Sequence, residues 1–228
     1  MVASGGLDTT VRLWDAQTRQ RLFVLEGHTG AVWHVALSPD SSTLVSCGID
    51  ATVRLWDART GDAMRTLHGH TGGVRSVSIG ADSDALVSCG DDGTVRVWDS
   101  TTGQCLAVLK GHTAAVYGVA VGRDLRMVAS ASFDGTVRLW DARAGRSLAV
   151  LDGHTDAVYD VVISADGRAV ASGSLDGTVK LWDTASFELL RTLRPDRRYE
   201  RMDITGLSGV TEAQRATLLG LGALEAQV

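Results

Sequence analysis

Proline is nearly absent from this chain, with two residues in 228. Cysteine is scarce too: Cys47, Cys89 and Cys105 make an odd set of three. So sparse a set is no disulfide framework, and it fits a reducing cytoplasm. No apolar run approaches the roughly 18 residues that a membrane-spanning helix needs. The N-terminus has no basic stretch followed by an apolar one, so no secretory signal is expected. A cationic excess is also missing, since 22 Lys and Arg face 27 Asp and Glu, for a net charge of −5. General affinity for nucleic acid or anionic membranes would need the opposite balance, so neither is expected as a partner. There is no Gly-Lys-Ser/Thr phosphate loop, and cysteine and histidine do not fall at zinc-ligand spacings. No cofactor, no metal and no catalytic set are therefore expected.

What the chain does have is glycine, 26 residues of it, and a strict internal period. Tryptophan recurs at Trp14, Trp56, Trp98, Trp140 and Trp182, always 42 residues apart. An aspartate follows each one, from Asp15 to Asp183. Serine recurs at Ser4, Ser46, Ser88, Ser130 and Ser172, and a turn aspartate at Asp8, Asp50, Asp92, Asp134 and Asp176. "GH" occurs four times, ending in His28, His70, His112 and His154. Such self-similarity decides the organisation before any secondary-structure assignment.

Each unit reads as four short strands. "AVYDVVIS" (157–164) is rich in β-branched residues; "SADGR" is a turn; "AVASGS" (169–174) is a second strand. "DG" at 176–177 signals a hairpin, because glycine takes positive φ cheaply. "TVKLWD" (178–183) is the third strand, and "SLAVL" (147–151) shows the fourth, from the unit before. The strands alternate only in part, so both faces of each sheet must be covered. A lone sheet of this size cannot do that, whereas stacked neighbours can.

The "GH" to "WD" span and the 42-residue period resemble the WD-repeat β-propeller family. The resemblance covers about residues 1–194, in units of about 1–26, 27–68, 69–110, 111–152 and 153–194. It implies an all-β propeller of four-stranded antiparallel blades. It also implies a structural relay in each complete unit, running from indole N–H to serine, serine to histidine and histidine to aspartate. The sets are His28–Ser46–Asp50–Trp56, His70–Ser88–Asp92–Trp98, His112–Ser130–Asp134–Trp140 and His154–Ser172–Asp176–Trp182. Their letters match a Ser-His-Asp triad. Four copies suit architecture better than catalysis, and no nucleophile elbow or oxyanion loop accompanies them. Cys47 and Cys89 share a repeat position with Ala131 and Gly173, so they read as small core residues. Arg12, Arg54, Arg96, Arg138 and Lys180 also share a position, and read as solvated or locally paired charges.

Variation within the fixed frame points to a surface. Five residues after each histidine stand Trp33, Arg75, Tyr117 and Tyr159. Just before each turn aspartate stand Leu7, Ile49, Asp91, Phe133 and Leu175. Aromatics and arginine are enriched at binding hot spots. The "GH"-side rim, with Trp33, Arg75, Tyr117, Tyr159, Ile49, Asp91, Phe133 and Leu175, is therefore expected to bind a protein or peptide partner.

Residues 195–228 leave the repeat at Pro195. "TEAQ" (211–214) is a capping box with Thr211 as N-cap, so a helix is expected over about 212–219, ending near Gly220 or Gly222. "ERMDIT" has the look of a short strand, and Leu218, Leu219 and Leu221 are candidates to dock on exposed blade surface. The segment resembles tails that follow WD repeats in multidomain bacterial proteins, including signal-transduction ATPases. The first unit has Ser4, Asp8 and Trp14 but no histidine-bearing strand. Two outcomes follow: a C-terminal strand completes it and closes a five-bladed ring, or the chain is part of a larger propeller and forms an open arc. The arc is the favoured expectation. The expected function is a non-catalytic interaction scaffold. The alternative is the sensor end of a larger signalling ATPase whose upstream domains are its partners. A hydrolase is a remote third.

Overall fold

The computed structural model describes residues 1–80, 84–122, 126–195, 202–205, 207–209, 211–221 and 223–225. The chain divides into two compact units, Met1–Thr192 and Leu193–Val228. The first is all β, in five antiparallel sheets.

Sheet 1 has three strands, β1 (Val2–Gly5), β2 (Val11–Trp14) and β3 (Arg21–Leu25). Sheet 2 has four, β4 (Val32–Leu37), β5 (Thr43–Gly48), β6 (Val53–Asp57) and β7 (Ala63–Leu67). Sheet 3 comprises β8 (Val74–Ile79), β9 (Ala85–Gly90), β10 (Val95–Asp99) and β11 (Cys105–Leu109). Sheet 4 comprises β12 (Val116–Val121), β13 (Val128–Ser132), β14 (Val137–Asp141) and β15 (Arg146–Leu151). Sheet 5 comprises β16 (Val158–Ile163), β17 (Ala169–Ser174), β18 (Val179–Asp183) and β19 (Leu189–Leu193). Within every sheet the strands pair in chain order, as hairpin connections demand.

The turn between the second and third strand needs a left-handed residue. Gly93, Gly135 and Gly177 supply it with φ of 71°, 83° and 78°. Thr9 (69°) and Ala51 (61°) hold the same conformation with a Cβ attached, which carries strain. The glycine of each "GH" answers to space as well. A Cβ on Gly111 would sit 2.7 Å from Arg138 Nη1 and 3.2 Å from Trp140 Cη2.

The core lies between sheets. Val11, Leu13 and Leu25 of sheet 1 pack with Val32, Leu44 and Trp56 of sheet 2. The same joint recurs three times: Val53 and Leu55 against Val74, Leu86 and Trp98; Val95 and Val97 against Val116, Val128 and Trp140; Val137 and Leu139 against Val158, Val170 and Trp182. Sheets 2 to 5 thus turn their tryptophan faces to the sheet before, and sheets 1 to 4 turn an aliphatic face to the one after. At about 25 cal/mol per Å² of apolar surface, these joints make neighbouring sheets interdependent. Cys47 and Cys89 are fully buried in them.

The array is open, as the favoured expectation had it. Among the described residues, sheets 1 and 5 do not pack on each other, and the aliphatic face of sheet 5 is bare. Val179 is 41% exposed, whereas its counterpart Val137 is 0% exposed.

In the C-terminal unit, α1 (Glu212–Gly220) starts from Thr211 with both halves of the capping box formed. It ends on a cap at Leu221; Gly222 lies outside the described residues. "ERMDIT" forms no strand where it is described. A single parallel bridge joins Asp203 to Leu224, and Glu200 and Arg201 lie outside the described residues. Arg215 pairs with Glu225 and donates to the Leu207 carbonyl.

Candidate functional site

The antiparallel alternation of strands brings each "GH" connection to the same end of its sheet as the second turn. In sheet 4, His112 Nδ1 lies 2.8 Å from Asp134 Oδ2 and its Nε2 lies 2.8 Å from Ser130 Oγ. Trp140 Nε1–H donates to the same Ser130 Oγ at 2.8 Å. Sheets 2, 3 and 5 repeat this arrangement at 2.8–2.9 Å with His28, His70 and His154. The repeat-position threonine, unremarked in the sequence, completes the set. Thr136 Oγ1 donates to Asp134 Oδ1 at 2.7 Å, and the Thr113 N–H reaches Oδ2 at 3.0 Å. Its signal was visible, since Thr10, Thr52, Thr94, Thr136 and Thr178 keep the 42-residue period.

Burial pushes Asp134 up, but the bonds from Thr136, His112 and the Thr113 N–H outweigh it and bring its carboxyl down to about 2. Burial also lowers His28, His70 and His112, against the pull of their aspartates, and so favours the neutral ring. The carboxylate accepts from Nδ1–H, which leaves Nε2 to accept from the serine hydroxyl. This proton order matches a catalytic triad, but the serine cannot use it. Ser130 is fully buried, and Trp140 already occupies its oxygen. A nucleophile needs an exposed oxygen within reach of a substrate carbonyl.

The residues at the shared basic position are partly withdrawn from solvent. The Arg54, Arg96 and Arg138 guanidiniums lie against the "GH" glycines, and their Nε atoms are buried without a hydrogen-bond partner. Lys180 bonds Thr192 Oγ1 at 3.1 Å. The connection that precedes each innermost strand lies beside Arg54, Arg96 and Arg138, which are partly buried, and Lys180 is buried. Arg12 alone takes a turn carboxylate, that of Asp8.

The variable rim residues gather into one surface. Each innermost strand carries a bulge, and the unpaired residue is Trp33, Arg75, Tyr117 or Tyr159 in turn. A bulge re-aims its side chain out of the sheet. The four then stack across sheets 2 to 5. Arg75 Cζ lies 3.9 Å from the Trp33 ring centre and 4.8 Å from that of Tyr117. Tyr117 and Tyr159 centres are 4.9 Å apart, and Phe133 lies 6.0 Å from Tyr117. Asp91 grips the edge of Arg75, with Nε–Oδ1 at 2.7 Å and Nη2–Oδ2 at 3.1 Å. Ile49, Phe133 and Leu175 are more than half exposed, and Leu7 is 85% exposed. The ladder and the Arg75–Asp91 pair were not legible in sequence, because both depend on how consecutive sheets lean together. Also unremarked was His34, surface-exposed on the innermost strand of sheet 2, whose pKa is lowered by partial desolvation of the ring, with Asp160 pulling the other way.

Five stacked antiparallel sheets with a Trp-Ser-His-Asp relay in each complete one define a β-propeller of the WD type. The family model described as WD domain, G-beta repeat, matches residues 1–15, 19–57, 61–99, 103–141 and 145–183, well over half of the chain. The chain belongs to the WD-repeat family, whose domains serve in general as protein-interaction scaffolds and are typically non-catalytic. No helix among the described residues is long and apolar enough to cross a membrane.

Proposed function

We propose that this chain is a non-catalytic scaffold that docks a protein or peptide partner on its "GH"-side rim. The observation that carries this is the continuous ladder Trp33–Arg75–Tyr117–Tyr159, flanked by exposed Ile49, Phe133 and Leu175. Its members hold one another in place, so little side-chain entropy remains to be lost on binding. Rigid aromatics with arginine at the centre and apolar residues around them have the make-up of a hot spot. Asp91 belongs to the surface as the group that orients Arg75. A neutralised, apolar rim favours a partner segment that is itself apolar.

The test is the triple variant Trp33→Ala, Tyr117→Ala, Tyr159→Ala in a quantitative pulldown, with circular dichroism to check folding. Loss of the partners held by the unmodified chain is expected, since hot-spot truncations cost roughly 2 kcal/mol or more each. An unchanged partner set on a folded variant would falsify the assignment.

A further inference from the structure

Two cations of sheet 3 have no anion to answer them. The "GH" end of that sheet holds a cleft of about 430 Å³, lined by Thr71, Asp92, Thr94, Arg96, Lys110 and Gly111. Arg96 is partly buried there, with its guanidinium against Gly69 and its Nε buried without a hydrogen-bond partner. Lys110 is exposed at the same cleft. Among the described residues, neither side chain makes a hydrogen bond or an ion pair. The carboxylate of Asp92 is already engaged. Its Oδ2 accepts from His70 Nδ1 at 2.9 Å and from the Thr71 N–H at 3.1 Å, and its Oδ1 accepts from the Thr94 N–H and hydroxyl at 3.0 and 2.8 Å. Asp91 next to it is paired with Arg75, and the His112 ring is held in the relay of sheet 4. The residue between the last strand of a sheet and the next "GH" is Glu26 after sheet 1, His68 after sheet 2, Lys110 after sheet 3 and Asp152 after sheet 4. After sheet 5 stands Arg194, but Lys180 in that sheet is engaged by Thr192 Oγ1 at 3.1 Å.

We infer that this cleft takes a phosphoryl group, carried on a side chain of the segment that docks on the rim. The inference rests on the rim being the docking face. A partly buried guanidinium without a counter-charge is costly, and an oxyanion beside it removes that cost. Arg96 offers a planar fork of N–H donors, and Lys110 offers a mobile point charge on a long stem. Together they match the charge of nearly −2 and the three acceptor oxygens of a phosphoryl group. A carboxylate carries one charge and leaves the second cation unanswered. The cleft also adjoins the aromatic ladder through the chain itself. Asp91, which grips Arg75, is followed directly by Asp92. Thr71 is followed by Gly72 and Gly73, and a Cβ on Gly73 would sit 2.5 Å from Trp33 Cζ3. An extended segment with apolar side chains on the ladder therefore reaches the cleft with a residue a few positions along. The ladder supplies apolar contact, and the cleft selects for the modified form of the partner.

The first probe is inorganic phosphate, titrated into the full chain to about 50 mM at fixed ionic strength while arginine Nε–H signals are read by NMR. A saturable shift at Arg96 is expected. Arg54 and Arg138 serve as internal controls, because their Nε atoms are buried in the same way. Lys110→Asp, which copies what the fold already carries at Asp152, should weaken phosphate at least about tenfold with the melting temperature unchanged. No shift at Arg96, an equal shift at Arg54 and Arg138, or indifference to Lys110→Asp overturns the proposal. The second probe is a degenerate peptide library with one fixed phosphoserine, compared on the immobilised chain with the same library carrying serine or glutamate. Preferential retention of the phosphoserine library is expected, and its loss on the Lys110→Asp chain. Equal retention of the three libraries, or of none, overturns the proposal. The Trp33→Ala, Tyr117→Ala, Tyr159→Ala chain separates this reading from the one beneath it. There the phosphate shift at Arg96 should persist while library retention falls. If the rim is not the docking face, that variant keeps the library; if the cleft is no phosphoryl site, the unmodified chain shows no Arg96 shift.

Discussion

Sheets 1 and 4 are written in almost the same letters and end in different electrostatics. Both have the serine, the turn aspartate, the threonine, the arginine and the tryptophan at matching positions. In sheet 4, His112 holds Asp134, and Arg138 Nε is buried without a hydrogen-bond partner. In sheet 1 there is no histidine, and Arg12 closes on Asp8. The comparison teaches that the relay is a competition for one carboxylate. Histidine wins because its ring is fixed by two further contacts, Ser130 below and the Thr136 hydroxyl at 3.4 Å beside it. The arginine is the reserve partner, held ready over the tryptophan ring at about 6 Å.

The comparison can be broken most sharply at the tryptophans. Trp140 fills the joint between sheets 3 and 4, whereas Trp14 has no sheet before it among the described residues. Trp140→Ala should cost about 3–5 kcal/mol in urea denaturation. Trp14→Ala should cost well under half of that, and equal losses would show that the two sheets are equally covered.

The histidine comes next. His112→Ala should destabilise by about 1–3 kcal/mol, because Ser130 and Asp134 lose a partner in a buried setting. Sheet 1 predicts the response: Arg138 moves onto Asp134. The His112→Ala, Arg138→Ala double variant should then lose about 1 kcal/mol more than the single losses combined. Strict additivity in this cycle would end the reserve-partner view.

Acid probes the same contrast more gently. Burial holds His28, His70 and His112 below their usual range in the folded chain. The unfolded chain therefore binds protons first as pH drops below about 6.5, and stability falls from there. The aspartates act lower, where the stabilisation present above the ordinary carboxylate range, about 3.9, is lost as pH falls towards 2. Melting temperature should thus fall already between pH 7 and 5.5. In the His112→Ala chain this early fall should be shallower, and an identical slope would show that His112 does not contribute.

The smallest expected effect is in the turns. Ala51 takes at φ 61° the place that glycine holds in sheets 3, 4 and 5. Ala51→Gly relieves that strain and gives up unfolded-state order, so the net gain should be under about 1 kcal/mol. A clear loss in thermal melting would show that the Ala51 methyl packs usefully.

Much of this was legible because the chain repeats. Periodicity aligned Ser130 with Ser172 and His112 with His154, so a contact inferred once was inferred four times. The propeller class, the hairpin turns and the α1 capping box all follow from local pattern and turn chemistry. Other features were not legible. "ERMDIT" looked like a strand by composition but makes only one bridge where it is described, since a strand needs a partner as well as a preference. Arg96 and Arg138 read as solvated or locally paired charges, and nothing in their sequence neighbours reveals that a glycine-bearing connection lies beside them.

By itself, then, the sequence determined the repeat, the strand order within each sheet and the identity of every relay. These depend on residues at constant spacing in one unit, where chain connectivity does the positioning. Only the tertiary structure decided what happens between units and at their edges. It stacked Trp33, Arg75, Tyr117 and Tyr159 into one ladder through bulges in four separate strands. It left the array open, with Val2 and Val179 uncovered, and it gave Asp8 to Arg12. In each case the partner lies some 40 residues away or is missing from the sheet, and local sequence carries no term for a neighbour that distant or absent.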